Sequence, residues 1–144
     1  MSVPPAPSDE LLRSILGSVK TIALVGASPK PHPPSNRVMR FLMDKGYHVI
    51  PINPGLAGGE INGEKVYETL TDIPDTIDMV DIFRHPDAVG EIVDAAITLA
   101  PDKGIRVIWM QLDVIAPEAA ARADDAGLTV VMDHCPKIEY ERLM

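Results

Sequence analysis

A short loop of small residues ending in a lysine is the segment of this sequence best suited to bind an anion. Gly26 follows an apolar run and precedes Ala27, Ser28, Pro29 and Lys30. Because glycine lacks a side chain, backbone N–H groups can approach an anion closely at such a loop, and a following helix directs its positive N-terminus at the same point. The loop therefore predicts a phosphate-binding site.

Two known nucleotide-binding motifs match this loop poorly. The dinucleotide fingerprint requires glycines at positions 26, 28 and 31, where this chain has Gly26, Ser28 and Pro31. Dinucleotide-binding chains also usually carry an acidic residue at the end of the second strand, where this chain has Asn53 and Pro54. No Gly-Lys-Ser or Gly-Lys-Thr triplet is present, which excludes a P-loop. An NAD(P)-binding, oxidoreductase-like domain is thus disfavoured and stays as an alternative.

The charges of the chain are unevenly distributed around the loop. The formal net charge is −8, yet no acidic residue occurs between Glu10 and Asp44, so this window is basic and the remainder is more acidic than the whole. Arg37 falls in the first turn of a predicted helix, where a cation opposes the helix dipole by a few tenths of a kcal/mol and a bound anion would reverse that cost. These bases either bind phosphate or form an ordinary charged surface; they are Arg13, Lys20, Lys30, Arg37 and Arg40.

Five short apolar runs alternate with helical patterns, which is typical of βαβ units and a parallel sheet. The strand candidates are 21–25, 48–52, 79–83, 106–110 and 128–132. The helix candidates are one that begins after Ser8 and ends near Gly17, and those at 35–45, 86–99 and 117–126. The stretch 54–74 is irregular, with a short edge strand predicted at 65–67. The right-handed crossover rule then gives a doubly wound, mainly parallel sheet with helices on both faces, a three-layer α/β/α domain.

Composition narrows the classes of protein to which this chain could belong. Residues 1–7 hold three prolines and predict a flexible arm, which leaves 8–144 as a single domain. The lone Cys135 cannot form an internal disulfide, and no apolar run approaches the ~20 residues that span a bilayer. Since the start also lacks signal-peptide features, we expect a cytoplasmic protein without membrane contact. The acidic charge balance and the scarcity of aromatic residues disfavour nucleic-acid binding.

Ligands of doubly wound sheets bind beyond the carboxyl ends of the strands, so the segments that follow each strand are the candidate site. Five runs of the sequence cover these positions in order; they are IALVGASPK at 22–30, GYHVIPINP at 46–54, VDIFR at 80–84, WMQ at 109–111 and GLTVVMDHC at 127–135. Together they resemble the stand-alone CoA-binding-domain family, small proteins similar to the N-terminal domain of the succinyl-CoA synthetase α subunit. The resemblance implies a Rossmann-like fold whose ligand is coenzyme A (CoA).

The resemblance also implies roles for individual residues. Gly26, Ala27, Ser28, Pro29 and Lys30 would cradle the CoA pyrophosphate, with Ser28 donating its hydroxyl.

The other positions would contact the rest of the ligand. Lys30 or Arg37 would lie near a phosphate, and Asn53 and Pro54 against the adenosine. Phe83 and Arg84, at the end of the third strand, would line the adenine or pantetheine side of the ligand. Gln111, which follows the fourth strand, would face the end of the crevice where the thiol arrives. CoA carries a 3′-phosphate besides the pyrophosphate, so it would profit from the local bases.

The resemblance covers only the binding half of a ligase. The synthetase takes its phosphorylated histidine from a second domain and its nucleotide-grasping fold from another subunit, so this chain is expected to bind CoA or an acyl-CoA without ligase chemistry. A non-catalytic subunit of an acyl-CoA-handling enzyme is a further alternative. Cys135 is more simply a buried apolar residue than a nucleophile, and the scattered histidines predict no metal site. A homodimer is expected only because two-fold oligomers are common.

Overall fold

A five-stranded parallel sheet forms the centre of the computed structural model, which describes residues 3–30 and 33–144. Its strands are β1 (Thr21–Val25), β2 (His48–Ile52), β5 (Met79–Ile82), β6 (Val107–Met110) and β7 (Thr129–Val131); the short strands β3 (Glu60–Ile61) and β4 (Glu64–Lys65) lie outside this sheet. The order of strands across the sheet is β2-β1-β5-β6-β7. The helices are α1 (Asp9–Ser18), α2 (Pro34–Asp44), α3 (Pro86–Lys103), α4 (Pro117–Asp125) and α5 (Pro136–Leu143). The predicted three-layer, doubly wound α/β fold is confirmed.

Both faces of the sheet are buried, as expected of parallel strands that read as continuous apolar runs. One face, here called the α2 face, packs against the apolar sides of α1, α2 and α5. The opposite face, the α3 face, packs against α3 and α4. Because side chains alternate along a strand, Leu24 and Trp109 lie on the α2 face, whereas Val25 and Met110 lie on the α3 face.

Several predicted bounds need correction. The strands at 21–25 and 48–52 are as predicted, but the other three are shorter, since Phe83, Arg106, Leu128 and Met132 lie just outside them. The helices begin or end within one residue of the predicted bounds, with one exception. The third helix continues beyond residue 99 to Lys103 despite Pro101, because proline removes only one hydrogen bond so near the end. Gly104 (φ 81°) then caps the helix with its N–H bonded to the carbonyl of Ala100 at 2.9 Å.

Two elements lie where the sequence analysis expected none or something different. A two-stranded antiparallel hairpin, β3 (Glu60–Ile61) and β4 (Glu64–Lys65), replaces the edge strand predicted at 65–67. Its turn is Asn62-Gly63, both with positive φ, and this dipeptide is a strong hairpin signal. Tyr67 forms a single parallel bridge to Ile52. Helix α5 was missed because its eight residues bury only Pro136 and Glu139 and so show no apolar stripe.

The N-terminal segment lies beside the last strand of the sheet. Residues 3–7 have no regular secondary structure, and Pro4 and Pro7 are half-buried next to Val130. The predicted flexibility of this arm stays a prediction, and Met1 and Ser2 are outside the described residues. α1 follows directly, capped by the Ser8 hydroxyl, which accepts a bond from the N–H of Leu11 at 3.1 Å. In the part of the chain described, no helix is both long and apolar enough to cross a membrane.

Candidate functional site

The candidate site lies where the strand order reverses. From β1 the chain crosses to β2 on one side and then returns to β5 on the other, so the carboxyl ends of β1 and β5 open into a crevice. Gly26, Asn53, Phe83 and Gln111 directly follow β1, β2, β5 and β6, in that order. The fold therefore brings the sequence-predicted segments to one edge of the sheet. Pro31 and His32, which follow the loop, are outside the described residues. Pro31 is one of the three positions compared with the dinucleotide fingerprint.

Gly26 permits an unusually close approach between the ends of β1 and β5. Its φ is +93°, and a Cβ atom at this position would lie 2.1 Å from the carbonyl oxygen of Phe83 and 3.1 Å from Cδ of Arg84. A side chain here would therefore overlap the backbone of the neighbouring strand. The glycine is required by the packing of the crevice floor, whatever ligand the crevice accepts.

The first two amides of the loop are already used within the protein. The N–H groups of Gly26 and Ala27 both donate to the carbonyl of Ile52, at 3.1 and 3.2 Å. The N–H of Lys30 donates to the hydroxyl oxygen of Ser28 at 3.3 Å. An anion would thus be met further along the loop, by Ser28 and the exposed Lys30, rather than by the backbone of Gly26.

Two asparagine side chains hold the loop in place. Asn53 donates from Nδ2 to the carbonyl of Ala27 at 2.8 Å and accepts the N–H of Gly55 at 2.9 Å. Asn36, in the first turn of α2, donates from Nδ2 to the carbonyl of Ser28 at 2.7 Å. Asn36 is buried and was missed by sequence analysis; the available signal was its position, an amide side chain at the start of the helix that follows the loop.

Helix α2 begins at this loop, and no acidic side chain offsets the positive end of its dipole. Its N-cap, Pro33, provides no side-chain hydrogen bond, and its first turn contains no acidic residue. Among the helices of the described residues, α1, α3, α4 and α5 each carry at least one acidic residue in the first turn. Arg37 is exposed one turn into α2. The N–H groups of Asn36 and Arg37 donate to the Pro33 carbonyl at 3.1 and 3.3 Å, so it is the helix dipole, with no acidic side chain to offset it, that favours an anion at this end.

Pro54 and Arg84 meet at a cavity on the α3 side of the crevice. The cavity has a volume of about 250 Å³ and opens between the ends of β1 and β2 and helix α3. Its walls are mostly apolar and include Val25, Ile52 and Ile92, with Arg84 at the rim. An apolar slot with a planar guanidinium at its edge is suited to a flat aromatic ring, because arginine stacks on such rings.

Phe83 and Gln111 lie on the other side of the sheet from this cavity, on the α2 face. Phe83 is half-buried among the apolar side chains of that face. Gln111 is 6% exposed, and its Oε1 atom has no hydrogen-bond partner. A buried amide oxygen without a donor costs free energy, so this atom is poised to accept an N–H or O–H from a ligand or a water molecule. Phe83 and Arg84, adjacent in sequence, thus serve different sides of the crevice.

An aspartate in the middle strand is the most unusual residue below the crevice. Asp81 pairs in register with Leu24 and Trp109, is fully buried, and neither carboxylate oxygen has a hydrogen-bond partner. Burial raises the pKa of Asp81 well above its usual value, because desolvation penalises the charged form. Asp78, by contrast, accepts the backbone N–H groups of Lys20 and Thr21 at 2.8 and 2.9 Å.

His134 and Cys135, which follow β7, make contacts that hold the fold together. The Trp109 indole is buried and donates from Nε1 to the carbonyl of His134 at 2.9 Å. Cys135 is free, buried and packed among the apolar side chains of the α2 face. Within the described residues no group of three His, Cys, Asp or Glu side chains could hold a metal ion.

The parallel sheet, the helices on both faces and the glycine loop at the strand reversal define a Rossmann-like α/β protein. Comparison with known protein families narrows this class. The model of the CoA binding domain family matches residues 20–141, and the chain therefore belongs to that family. The resemblance identified from the five sequence runs is confirmed.

Similar proteins support the same assignment. The chain is 33% identical to the Bacillus subtilis protein YneT, described as uncharacterized, over 135 residues that cover 93% of this chain and 95% of YneT. It is 34% identical to the α subunit of acetate–CoA ligase (ADP-forming) I from Pyrococcus furiosus, over 62% of this chain but only 19% of that subunit. A hypothetical protein from Pyrococcus horikoshii OT3 has a solved structure with a TM-score of 0.88 and 42% identity, covering 99% of both chains.

Proposed function

We propose that this chain binds CoA through residues 28–30 and the N-terminus of α2, and that it has no ligase chemistry of its own. The observation that carries the proposal is the start of α2, which has neither a side-chain cap nor an acidic first turn while Lys30 and Arg37 lie near it in sequence. A pyrophosphate would interact favourably with the dipole of α2 and reverse the unfavourable position of the arginine. Membership of the CoA binding domain family supports the choice of ligand.

The rest of the crevice suits the other parts of CoA. The adenine ring would enter the apolar cavity between Pro54 and Arg84. The pantetheine arm would run over the ends of β5 and β6, where Gln111 Oε1 lacks a donor and an amide N–H of the arm would supply one. This arrangement places adenosine, phosphates and thiol in order along the carboxyl edge of the sheet.

The NAD(P) alternative receives less support from the same residues. A dinucleotide needs an acceptor for its ribose hydroxyls at the end of β2. There, Asn53 Oδ1 accepts the N–H of Gly55 and Asn53 Nδ2 donates to the carbonyl of Ala27. Both polar atoms of Asn53 are thus engaged within the loop, so this side chain is better suited to shaping the loop than to reading a ribose.

A second candidate is a non-catalytic subunit of an acyl-CoA-handling enzyme. The likeness to the acetate–CoA ligase subunit favours it, since this chain spans about a fifth of that subunit. The two candidates share the ligand site and differ in whether a partner chain supplies catalysis. In either case we expect no acyl-CoA formation when the purified chain is incubated with an acid, CoA and ATP.

Isothermal titration calorimetry tests the proposal directly. The ligand-stripped protein is titrated with CoA, NAD(P) and ATP at one salt concentration. The variant Lys30→Glu with Arg37→Glu is expected to weaken CoA binding by about tenfold or more, because each charge-assisted hydrogen bond to a phosphate contributes about 1.5–3 kcal/mol. The matched control is Lys20→Glu with Arg106→Glu, which changes the net charge equally at exposed positions before β1 and β6.

The outcomes separate the candidates. Equal CoA affinity in both double variants would refute the role of the basic residues near α2. Binding of NAD(P) in place of CoA would instead support the oxidoreductase-like alternative.

A further inference from the structure

A second cavity lies at the outer edge of the sheet, between the N-terminal arm and β7. Its volume is about 270 Å³. Residues 4–7 of the arm form one wall, and Ile115, Val130 and Met132 form the other. Asp133 and His134 stand at the rim. The cavity is thus mainly apolar, and no residue assigned to CoA above contributes to it.

Backbone contacts connect this cavity with the end of the proposed CoA site. The N–H of His134 donates to the carbonyl of Met110 at 3.2 Å, directly before Gln111. The N–H of Asp113 donates to Asp133 Oδ1 at 2.7 Å. Both aspartates have positive φ, 68° and 62°, so each loop turns sharply at this contact. The loops after β6 and β7 are therefore held together, so the cavity beside β7 is close to the segment that contains Gln111.

Large apolar side chains are exposed in the two segments that flank the cavity, the N-terminal arm and the stretch between β6 and α4. Leu112 is 45% exposed, Ile115 47% and Val3 48%. Val3 and Ile115 lie against the start of α4, as both border cavities that include Pro117. Single exposed apolar residues are ordinary, but Ile115 lines the cavity itself and adds exposed apolar surface to its wall.

We propose that this cavity binds the acyl chain of an acyl-CoA thioester, so that the physiological ligand is acyl-CoA rather than free CoA. The inference rests on the proposed function and extends it. With the phosphates at the loop after β1, the pantetheine arm crosses three strand intervals to reach β7, about 14 Å at the usual spacing. Its sulfur then lies near the opening, and the arm cavity provides an apolar space for a substituent on sulfur.

The lining also defines which acyl groups are accepted. The walls contribute methyl and methylene groups, which favour an unbranched neutral chain. The Asp133 carboxylate at the rim would repel a chain that ends in its own carboxylate, such as a dicarboxylic acyl group. We therefore expect preference for hexanoyl-CoA over both free CoA and succinyl-CoA.

Titration with CoA, butanoyl-CoA, hexanoyl-CoA and succinyl-CoA tests this inference. Each methylene that is fully buried should tighten binding by about fourfold, and in an open cavity by somewhat less. Hexanoyl-CoA should accordingly bind about tenfold or more tightly than CoA, with butanoyl-CoA in between. Succinyl-CoA should gain nothing over CoA.

Two variants locate the effect. Ile115→Ser and deletion of residues 3–7 should each reduce the ratio of hexanoyl-CoA to CoA affinity while leaving CoA affinity itself unchanged. Ile138→Ser is the matched control, because Ile138 is 48% exposed on α5, away from the cavity. Thermal melting of each variant verifies that the fold is retained.

The failure of this inference differs from that of the proposed function. Equal affinities of the unaltered protein for CoA and hexanoyl-CoA would overturn the acyl cavity alone. So would an acyl preference that survives both Ile115→Ser and the arm deletion. Absence of binding to every CoA compound would overturn the proposed function together with the inference.

Discussion

Replacing Gly26 by alanine tests how closely β1 and β5 approach each other. Alanine in the left-handed region costs about 1–2 kcal/mol relative to glycine. The added Cβ of Gly26→Ala would also lie 2.1 Å from the Phe83 carbonyl oxygen, and such overpacking costs a further ~1–3 kcal/mol. The free energy of unfolding should therefore fall by about 2–5 kcal/mol. The clash is with backbone, so side-chain rotation cannot relieve it.

Two other glycines separate the conformational cost from the clash. Gly46 and Gly127 have φ values of +97° and +89°, close to the +93° of Gly26, and an added Cβ would meet nothing within 4 Å at either position. Gly46→Ala and Gly127→Ala should therefore cost only the first contribution, about 1–2 kcal/mol. The difference between Gly26→Ala and these controls isolates the approach of Phe83.

Urea unfolding followed by circular dichroism measures all three variants under one condition. If Gly26→Ala is no more destabilising than the two controls, the Phe83 carbonyl does not lie against Gly26 and the account of the crevice floor is wrong. A CoA titration of the same variant adds a second readout. Because the end of β5 must move away from β1, CoA affinity should fall in Gly26→Ala and stay unchanged in the controls.

Three further predictions concern residues around the crevice. Asp81→Leu should raise the free energy of unfolding at pH 7 by about 1–3 kcal/mol, since it replaces an unpartnered buried carboxyl with an apolar group of similar shape. The raised pKa means that native Asp81 keeps a proton that the unfolded chain releases above its ordinary pKa near 3.8. The unaltered protein should therefore become less stable relative to Asp81→Leu as the pH rises from 4. Urea unfolding of both proteins at pH 4 and pH 7 measures this difference, and a constant difference would contradict the prediction. Asn36→Ala removes the bond to the Ser28 carbonyl and should cost about 1–2 kcal/mol and weaken CoA binding, and unchanged affinity in calorimetry would show that the loop keeps its shape without it. Trp109→Phe leaves the His134 carbonyl without its indole donor and should cost about 1–3 kcal/mol, whereas equal thermal stability would mean that another donor replaces it.

Sequence patterns predict the elements of this fold where local and tertiary preferences agree. β1 and β2 are uninterrupted apolar runs, so their bounds follow from burial on both faces. The hairpin at 60–65 was signalled by Asn62-Gly63, and reading that dipeptide as a turn would have found it. Helix α5 has no comparable signal, because the apolar periodicity that reveals a helix is absent when only two of its residues are buried.

The candidate site was predictable in its location but not in its internal contacts. The crevice follows from strand order alone. That the amides of Gly26 and Ala27 bond to Ile52 depends on where β2 ends in space, which no local pattern encodes. Asp81 is the clearest case, since an aspartate within a strand motif looks the same in sequence whether it is paired, solvated or buried alone.

Proline residues lie at both outer edges of the sheet. In β2, the Pro51 carbonyl points outward to accept the N–H of Tyr67, so the neighbouring ring nitrogen offers no donor on that side. At β7 the edge lies beside the arm that contains Pro4, Pro5 and Pro7. The β2 edge therefore lacks a full row of donors and acceptors, and the prolines beside β7 have no N–H with which to extend the sheet; both features resist edge-to-edge aggregation. A homodimer of this protein should therefore join through helices or loops and keep two separate five-stranded sheets.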